Sequence, residues 1–186
     1  LTNLPCVCID AQRTAFRDDA IGVRPRATTG RWVSAASKWE ILIHIADVSD
    51  LYLTHPDILS KAMSVNEQES LEESLNLLRV AAESRGSSRY DLPLGPLHLL
   101  PPTALHALTL DTTSRAVTLW AYIDEETGKL LDAGIERTRV GAPFALSFDE
   151  ATSIMNGEDN VQSEKLRPLL LVAERNLKKW SDCRRN

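Results

Sequence analysis

The alternation of apolar and polar positions divides the chain into strand-length and helix-length stretches. Leu4-Pro5-Cys6-Val7-Cys8-Ile9 is a short apolar run that predicts a buried strand, with Asp10 at its end. Residues 40–49 are apolar on both faces over a strand's length, which predicts a central strand covered on both sides. Between 116 and 140, Val117, Leu119, Ala121 and Ile123 alternate with Thr118, Trp120 and Tyr122. A turn from Asp124 to Lys129 carries Gly128 near its end, and Leu131, Ala133 and Ile135 resume the alternation, so a hairpin is predicted. Residues 24–31, rich in Arg, Gly, Thr and Pro, read as an exposed connection between strands.

Helical spacing occurs in three places. Ser64 and Glu67 form a capping box ahead of Leu71, Leu75, Leu78 and Ala82, predicting an amphipathic helix over roughly residues 65–84. Ser147 and Glu150 form a second capping box, opening a short helix that Gly157 stops. From about Pro168 to Asp182, Leu169, Leu170, Ala173, Leu177 and Trp180 share one side of a helix that Pro168 is placed to start.

Composition narrows the class. With 186 residues, 43% apolar and 25% charged, the chain fits one globular domain with a sizeable core. Its apolar runs are too short to span a membrane and no signal-peptide pattern opens it, so an intracellular setting, cytoplasmic or organellar, is expected. Leu1 at the start is read as the sign of a fragment. Cys6 and Cys8 are read as pointing to opposite faces of their strand, and all three cysteines as reduced thiols. No Cys-x-x-Cys or paired-histidine spacing suggests zinc. A net charge of −5 argues against strong RNA binding by this chain alone. The charge is uneven, with nine acids against four bases over 47–91 and seven bases against three acids over 163–186. A solvated helix face is the ordinary explanation of the basic run.

The stretch from Ile9 to Gly22 holds the candidate chemistry. Asp10 ends the first strand, and Asp18-Asp19 follow a loop long enough to fold back on it. Carboxylates gathered in this way repel one another unless a cation lies between them, and hard oxygen ligands suit Mg²⁺. Arg13 and Arg17 on the same loop would neutralise part of that charge or face a phosphate. The structural alternative is that Asp18 or Asp19 only turns or caps the backbone. His44 and Asp47 read as a core histidine with a satisfied ring and a strand-end cap.

Several of these segments resemble the ribonuclease II / ribonuclease R family of processive 3′→5′ exoribonucleases. Leu4-Pro5, Ile9-Asp10 and Asp18-Asp19-Ala20 match the opening of that family's catalytic domain without a gap. The family carries four acidic positions there, and the second falls on Phe16. Further along, His44-Ile45-Ala46-Asp47-Val48-Ser49, Arg85-Gly86-Ser87-Ser88-Arg89-Tyr90, the Leu99–Leu105 turn and Phe144–Ala151 are similar to family segments in the family's order.

With the elements above, the resemblance implies an α+β fold: a mixed, mostly antiparallel β-sheet covered by helices, forming the N-terminal part of one catalytic domain over 1–186. It also implies Mg²⁺-dependent hydrolysis of single-stranded RNA to nucleoside monophosphates, with Mn²⁺ as the alternative ion. Asp10, Asp18 and Asp19 fall to the catalytic and metal-binding positions, Asp18 to a metal or the terminal ribose. Tyr90, on the family's RNA path, and Arg13 and Arg17 become candidate RNA contacts; a tyrosine half-buried in a strand accounts for Tyr90 equally well. The implied partners are single-stranded RNA, flanking RNA-binding domains of the parent chain, and a protein complex through the helix near 65–84. Phe16 leaves a second reading beside this one: a catalytically impaired RNA-binding or scaffolding module.

Overall fold

Stretches rich in β-branched and aliphatic residues build six strands in the computed structural model: β1 (Cys6–Asp10), β2 (Asp19–Pro25), β3 (Trp39–Ala46), β4 (Ser114–Ile123), β5 (Leu130–Val140) and β6 (Phe144–Ser147). Two helices come after them, α1 (Phe148–Asn156) and α2 (Ser163–Arg185). The structure describes residues 5–12, 14, 16–26, 37–47, 49, 108–110, 113–158 and 163–185. Arg13, Tyr90, the helix expected over 65–84 and the turn at 99–105 lie outside them. The chain divides into two compact units, residues 1–47 with 109–186 and residues 48–108. The first unit holds all six of these strands and both helices.

The strands form one sheet in the order β5-β4-β3-β2-β1-β6. Every neighbouring pair is antiparallel except β1 and β6, which run parallel in the register Val7↔Phe144 to Asp10↔Ser147. The sheet is therefore mixed and mostly antiparallel, as expected. β3 is an interior strand, but its expected double cover is incomplete, because Ile45 is 48% exposed.

One face of the sheet packs on the helices. Val7, Val23, Ile41, Ile123 and Leu146 meet Ala151 and Ile154 of α1 and Leu166, Leu169, Leu170 and Ala173 of α2. The α2 positions recur at three- and four-residue intervals, the apolar stripe of an amphipathic helix. Truncating a fully buried leucine such as Leu166 costs about 2–5 kcal/mol. α2 begins five residues before Pro168, which lies inside the helix and not at its start. Burial of Leu166 against the sheet holds the preceding turn helical. α1 follows expectation closely: Ser147 Oγ accepts from the Glu150 N–H, the Glu150 carboxylate accepts from the Ser147 N–H, and Gly157 closes the helix at φ 87°.

The opposite face buries polar groups. Cys6 and Cys8 lie there together; residues two apart on a strand share a face, which corrects the expectation that they point apart. Glu40 is buried in an ion pair with Arg24, its register partner on β2. His44 is also buried and its Nδ1 shares a 2.7 Å hydrogen bond with Thr118 Oγ1, which in turn bonds Thr138 Oγ1. The polar members of the β4 alternation, Thr118 and Tyr122, thus lie inside, whereas Leu119 is 37% exposed.

Burial, with a smaller contribution from the Arg24 charge, pushes the His44 imidazole down to about 4. An unfolded chain binds a proton there near pH 6.5, before the native state does. The stabilisation from neutral His44 is therefore complete above about pH 6.5 and lost as pH falls towards 4, and it is worth on the order of 2 kcal/mol. Urea titrations at pH 7 and 4.5 are expected to show this loss in the wild type and a flatter pH dependence in His44→Gln. Equal pH dependences would contradict it.

Candidate active site

β1 delivers Asp10 at its carboxyl end, and the loop 11–18 returns the chain to Asp19, the first residue of β2. Backbone hydrogen bonds hold this loop at several points. Thr14 N–H donates to Ala11 C=O at 2.9 Å, Leu110 N–H to Arg17 C=O at 2.7 Å, and Ala46 N–H to Asp18 C=O at 2.7 Å. The positions of Arg17, Asp18 and Asp19 are thus set by main-chain contacts that do not depend on their side chains. Because β6 runs parallel to β1, Asp10 stands in register with Ser147, the cap of α1. The carboxyl ends of two parallel strands and a helix N-terminus meet at one edge of the sheet.

The electrostatics of that edge join the three aspartates. Burial holds the Asp10 carboxyl above the usual range, Arg17 opposes it, and the Asp18 charge adds to it. Asp19 is raised for the same first reason, then by Asp18 and Asp10, against a backbone hydrogen bond that lowers it. The Cys8 thiol is pushed up to about 12 by burial, then by Asp10, Asp19 and Cys6. Each aspartate therefore feels the others. They meet at the strand ends and not on one sheet face: Asp10 alternates with Cys6 and Cys8, whereas Asp19 alternates with the core residues Ile21 and Val23. Among the described residues, no three His, Cys, Asp or Glu side chains are grouped closely enough to share one metal ion.

Among the described residues of this loop, Arg17 is the cation. Its Nε lies 3.9 Å from Asp10 Oδ2, and both atoms are buried without a hydrogen-bond partner. An orphaned buried carboxylate oxygen is costly, and a cation of good geometry would satisfy it. The oxygen-donor chemistry suits a hard divalent ion at Asp10, whose Oδ2 is unsatisfied, but the three aspartates as they stand are not grouped closely enough to share one ion. Phe16 is half-buried on the same loop and brings no oxygen ligand.

The sequence reading missed Glu150. Its spacing from Ser147 showed only the capping box, yet the Arg17 charge also helps to hold its carboxyl low, behind the hydrogen bonds from Ser147. The parallel pairing of β1 with β6 brings it near Arg17, and that pairing has no local signature. His44 takes the core role expected of it, and Asp47, just beyond β3, carries an ion pair with its side chain. The Asp47 N–H donates to Arg115 C=O, and its Oδ2 lies 3.7 Å from Arg137 Nε.

Comparison with known proteins adds to this geometry. Residues 1–185 match the family model described as the RNB domain. Mycoplasma genitalium RNase R in complex with double-stranded RNA aligns with a TM-score of 0.64 at 18% identity, over 100% of this chain and 28% of that chain. An active-site mutant of the Dss1 exoribonuclease from Candida glabrata aligns at 0.65 and 21% identity, over 96% and 21%. Yeast Ssd1, described as a pseudonuclease, aligns at 0.59 and 14% identity, over 95% and 18%. No curated protein matches the chain. At these identities the structural likeness is one of fold, and the chain spans under a third of each of these neighbours.

Proposed function

The chain belongs to the RNB domain family, and on that premise we propose that it is the aspartate-bearing part of a 3′→5′ exoribonuclease acting on single-stranded RNA. The observation that carries this is the convergence of Asp10, Asp18 and Asp19 at one edge, with an Asp10 oxygen left unsatisfied. Mycoplasma genitalium RNase R has been solved with ribose-methylated single-stranded RNA, which supports the substrate class.

Asp10 and Asp19 would hold Mg²⁺, or Mn²⁺ in its place, and Asp18 a second ion or the terminal ribose. When bound, the metal supplies Lewis-acid polarisation of the phosphate and a more acidic bound water. The chain's own contribution is placement. Main-chain bonds at Arg17 and Asp18 fix the loop, and partial burial of Asp10 and Asp19 strengthens their hold on a cation. In this reading Arg17, 3.9 Å from Asp10, balances its charge and contacts a phosphate of the RNA. Arg13 and Tyr90 complete the proposed RNA contacts. Flanking RNA-binding domains of the parent, and a protein complex through residues 65–84, belong to the same proposal.

A second reading has its own observation. Phe16 falls where the resemblance places an acidic residue, and the pseudonuclease Ssd1 shares the fold. In that reading the domain binds RNA or builds a complex without cleaving.

Calorimetric titration of the longest natural form with Mn²⁺ tests the metal-holding step. Asp10→Asn is expected to weaken binding at least ~10-fold, since loss of an outer-shell partner alone costs about 10–100-fold. Arg17→Gln, which removes a competing cation worth about 1 kcal/mol, is expected to tighten it roughly fivefold. Mn²⁺ binding unchanged by Asp10→Asn would contradict the assignment.

A further inference from the structure

Arg17 and Asp10 face each other without completing a bond. Arg17 Nε stands 3.9 Å from Asp10 Oδ2, beyond hydrogen-bond distance, and both atoms are buried and unsatisfied. A donor and an acceptor each left open in this way cost stability, so neither side of the contact is firmly held. The backbone around it is held: Leu110 N–H donates to Arg17 C=O and Ala46 N–H to Asp18 C=O. Rearrangement at Arg17 is therefore confined to its long side chain. A second carboxylate lies within reach of its charge. β6 runs parallel to β1 and sets Ser147 beside Asp10. Glu150 Oε2 accepts from the Ser147 N–H at 2.7 Å and from the Ser147 hydroxyl at 2.8 Å, which fixes the Glu150 carboxylate at that strand end. Both bonds fall on Oε2, so Oε1 has no hydrogen-bond partner among the described residues. Burial raises the Asp10 carboxyl and the Ser147 hydrogen bonds lower that of Glu150; on each the Arg17 charge adds a downward pull.

We propose that Glu150 is the second seat of the Arg17 side chain: Arg17 leaves Asp10 for Glu150 Oε1 as Asp10 takes up a divalent ion, so Glu150 positions Arg17 and sets how tightly Asp10 holds the metal. The inference rests on the metal reading of Asp10 given above. One rotation settles both open atoms. Asp10 Oδ2 gains a cation without sharing it with the guanidinium, and Arg17 Nε–H gains a charged acceptor. Without Glu150, Arg17 keeps to Asp10 and competes with the ion for the same oxygen. A guanidinium carries five N–H donors, so Arg17 seated on Glu150 retains donors for the phosphate contact proposed above. Glu150 acts here only through Arg17, and its capping bonds, which use the other oxygen, stay in place.

A double-mutant cycle on Mn²⁺ affinity, measured by calorimetry in the longest natural form, tests this. Removing the Glu150 charge weakens any nearby cation site through its field alone, so the single variant does not decide. Glutamine also closes a capping box and the Glu150 side chain is exposed, so Glu150→Gln should melt near the wild type. The factor by which Glu150→Gln raises the Kd for Mn²⁺ should be about threefold to fivefold larger in the wild-type background than in Arg17→Gln. Should Glu150→Gln fold poorly, the Arg17 Nε–H resonance of the wild type decides. Assigned by its loss in Arg17→Gln, it should move downfield on addition of Mg²⁺, as a new hydrogen bond to a carboxylate requires. An equal or smaller factor in the wild type, or an Arg17 resonance that Mg²⁺ leaves in place, overturns the proposal and reduces Glu150 to a helix cap. Failure of the metal reading is seen separately: Asp10→Asn then leaves Mn²⁺ binding unchanged, and both fall together.

Discussion

Asp18→Asn in the longest natural form is expected to abolish shortening of single-stranded RNA, by at least ~10²-fold, while RNA is still retained by the protein. The substitution is nearly isosteric and removes one charge. Asp18 is exposed, and its loop is held through its own carbonyl, which accepts from Ala46 N–H. A folded protein with an intact RNA surface is therefore expected, its stability within about 0.5 kcal/mol of the wild type. Asp18 is also a source of the repulsion that raises Asp10 and Asp19. Its neutralisation lowers the charge available to a divalent ion and relaxes the two remaining carboxyls towards ordinary values. Gel analysis of 5′-labelled RNA beside filter retention separates the two effects. Undiminished shortening would remove Asp18 from the catalytic set.

A large expected effect on stability lies at the far end of the sheet, in the β4–β5 turn. Gly128 has φ 73°, a left-handed conformation that costs other residues about 1–2 kcal/mol. A Cβ at this position would collide with the carbonyl oxygen of Lys179 on α2, a backbone atom that cannot rotate away. The turn is tied to its surroundings on several sides. Asp124 Oδ1 accepts from the N–H groups of Glu126 and Thr127, the Glu125 carboxylate lies 3.6 Å from Arg175 and accepts from Lys38 N–H, and Lys179 Nζ donates to Glu125 C=O. Gly128→Ala must therefore displace the hairpin from α2 or strain the turn. A loss of about 3 kcal/mol, roughly 6–12 °C in melting temperature, is expected by scanning calorimetry. A variant melting with the wild type would show that the turn moves freely against α2.

Much of this architecture is written locally in the sequence, and the departures share a cause. The run ending at Asp10, the 116–140 hairpin, the Ser147–Glu150 box and the apolar stripe of α2 all depend on neighbours within a few residues, and each is found as expected. The parallel β1–β6 pairing joins segments more than 130 residues apart and has no local signal. Alternation on β4 separates two faces but does not say which is buried. Partners on other strands, His44 beneath Thr118 and Glu40 opposite Tyr122, draw the polar members in and leave Leu119 out. Pro168 is absorbed into α2 because Leu166 finds a core to bury in. The same contrast holds at the site. The aspartates were legible as a cluster and as a family motif, but the orphaned Asp10 oxygen, the approach of Arg17 and the nearness of Glu150 come only from the folded edge.

The central claim is that the aspartate edge serves RNA hydrolysis, and one assay meets it directly. The longest natural form is incubated with 5′-labelled single-stranded RNA, with Mg²⁺ and then with the metal chelated. The account predicts a ladder shortening from the 3′ end that vanishes on chelation, which would also show that Phe16 is tolerated. RNA left intact in Mg²⁺ yet retained by the protein would contradict it and establish a binding module on a nuclease fold.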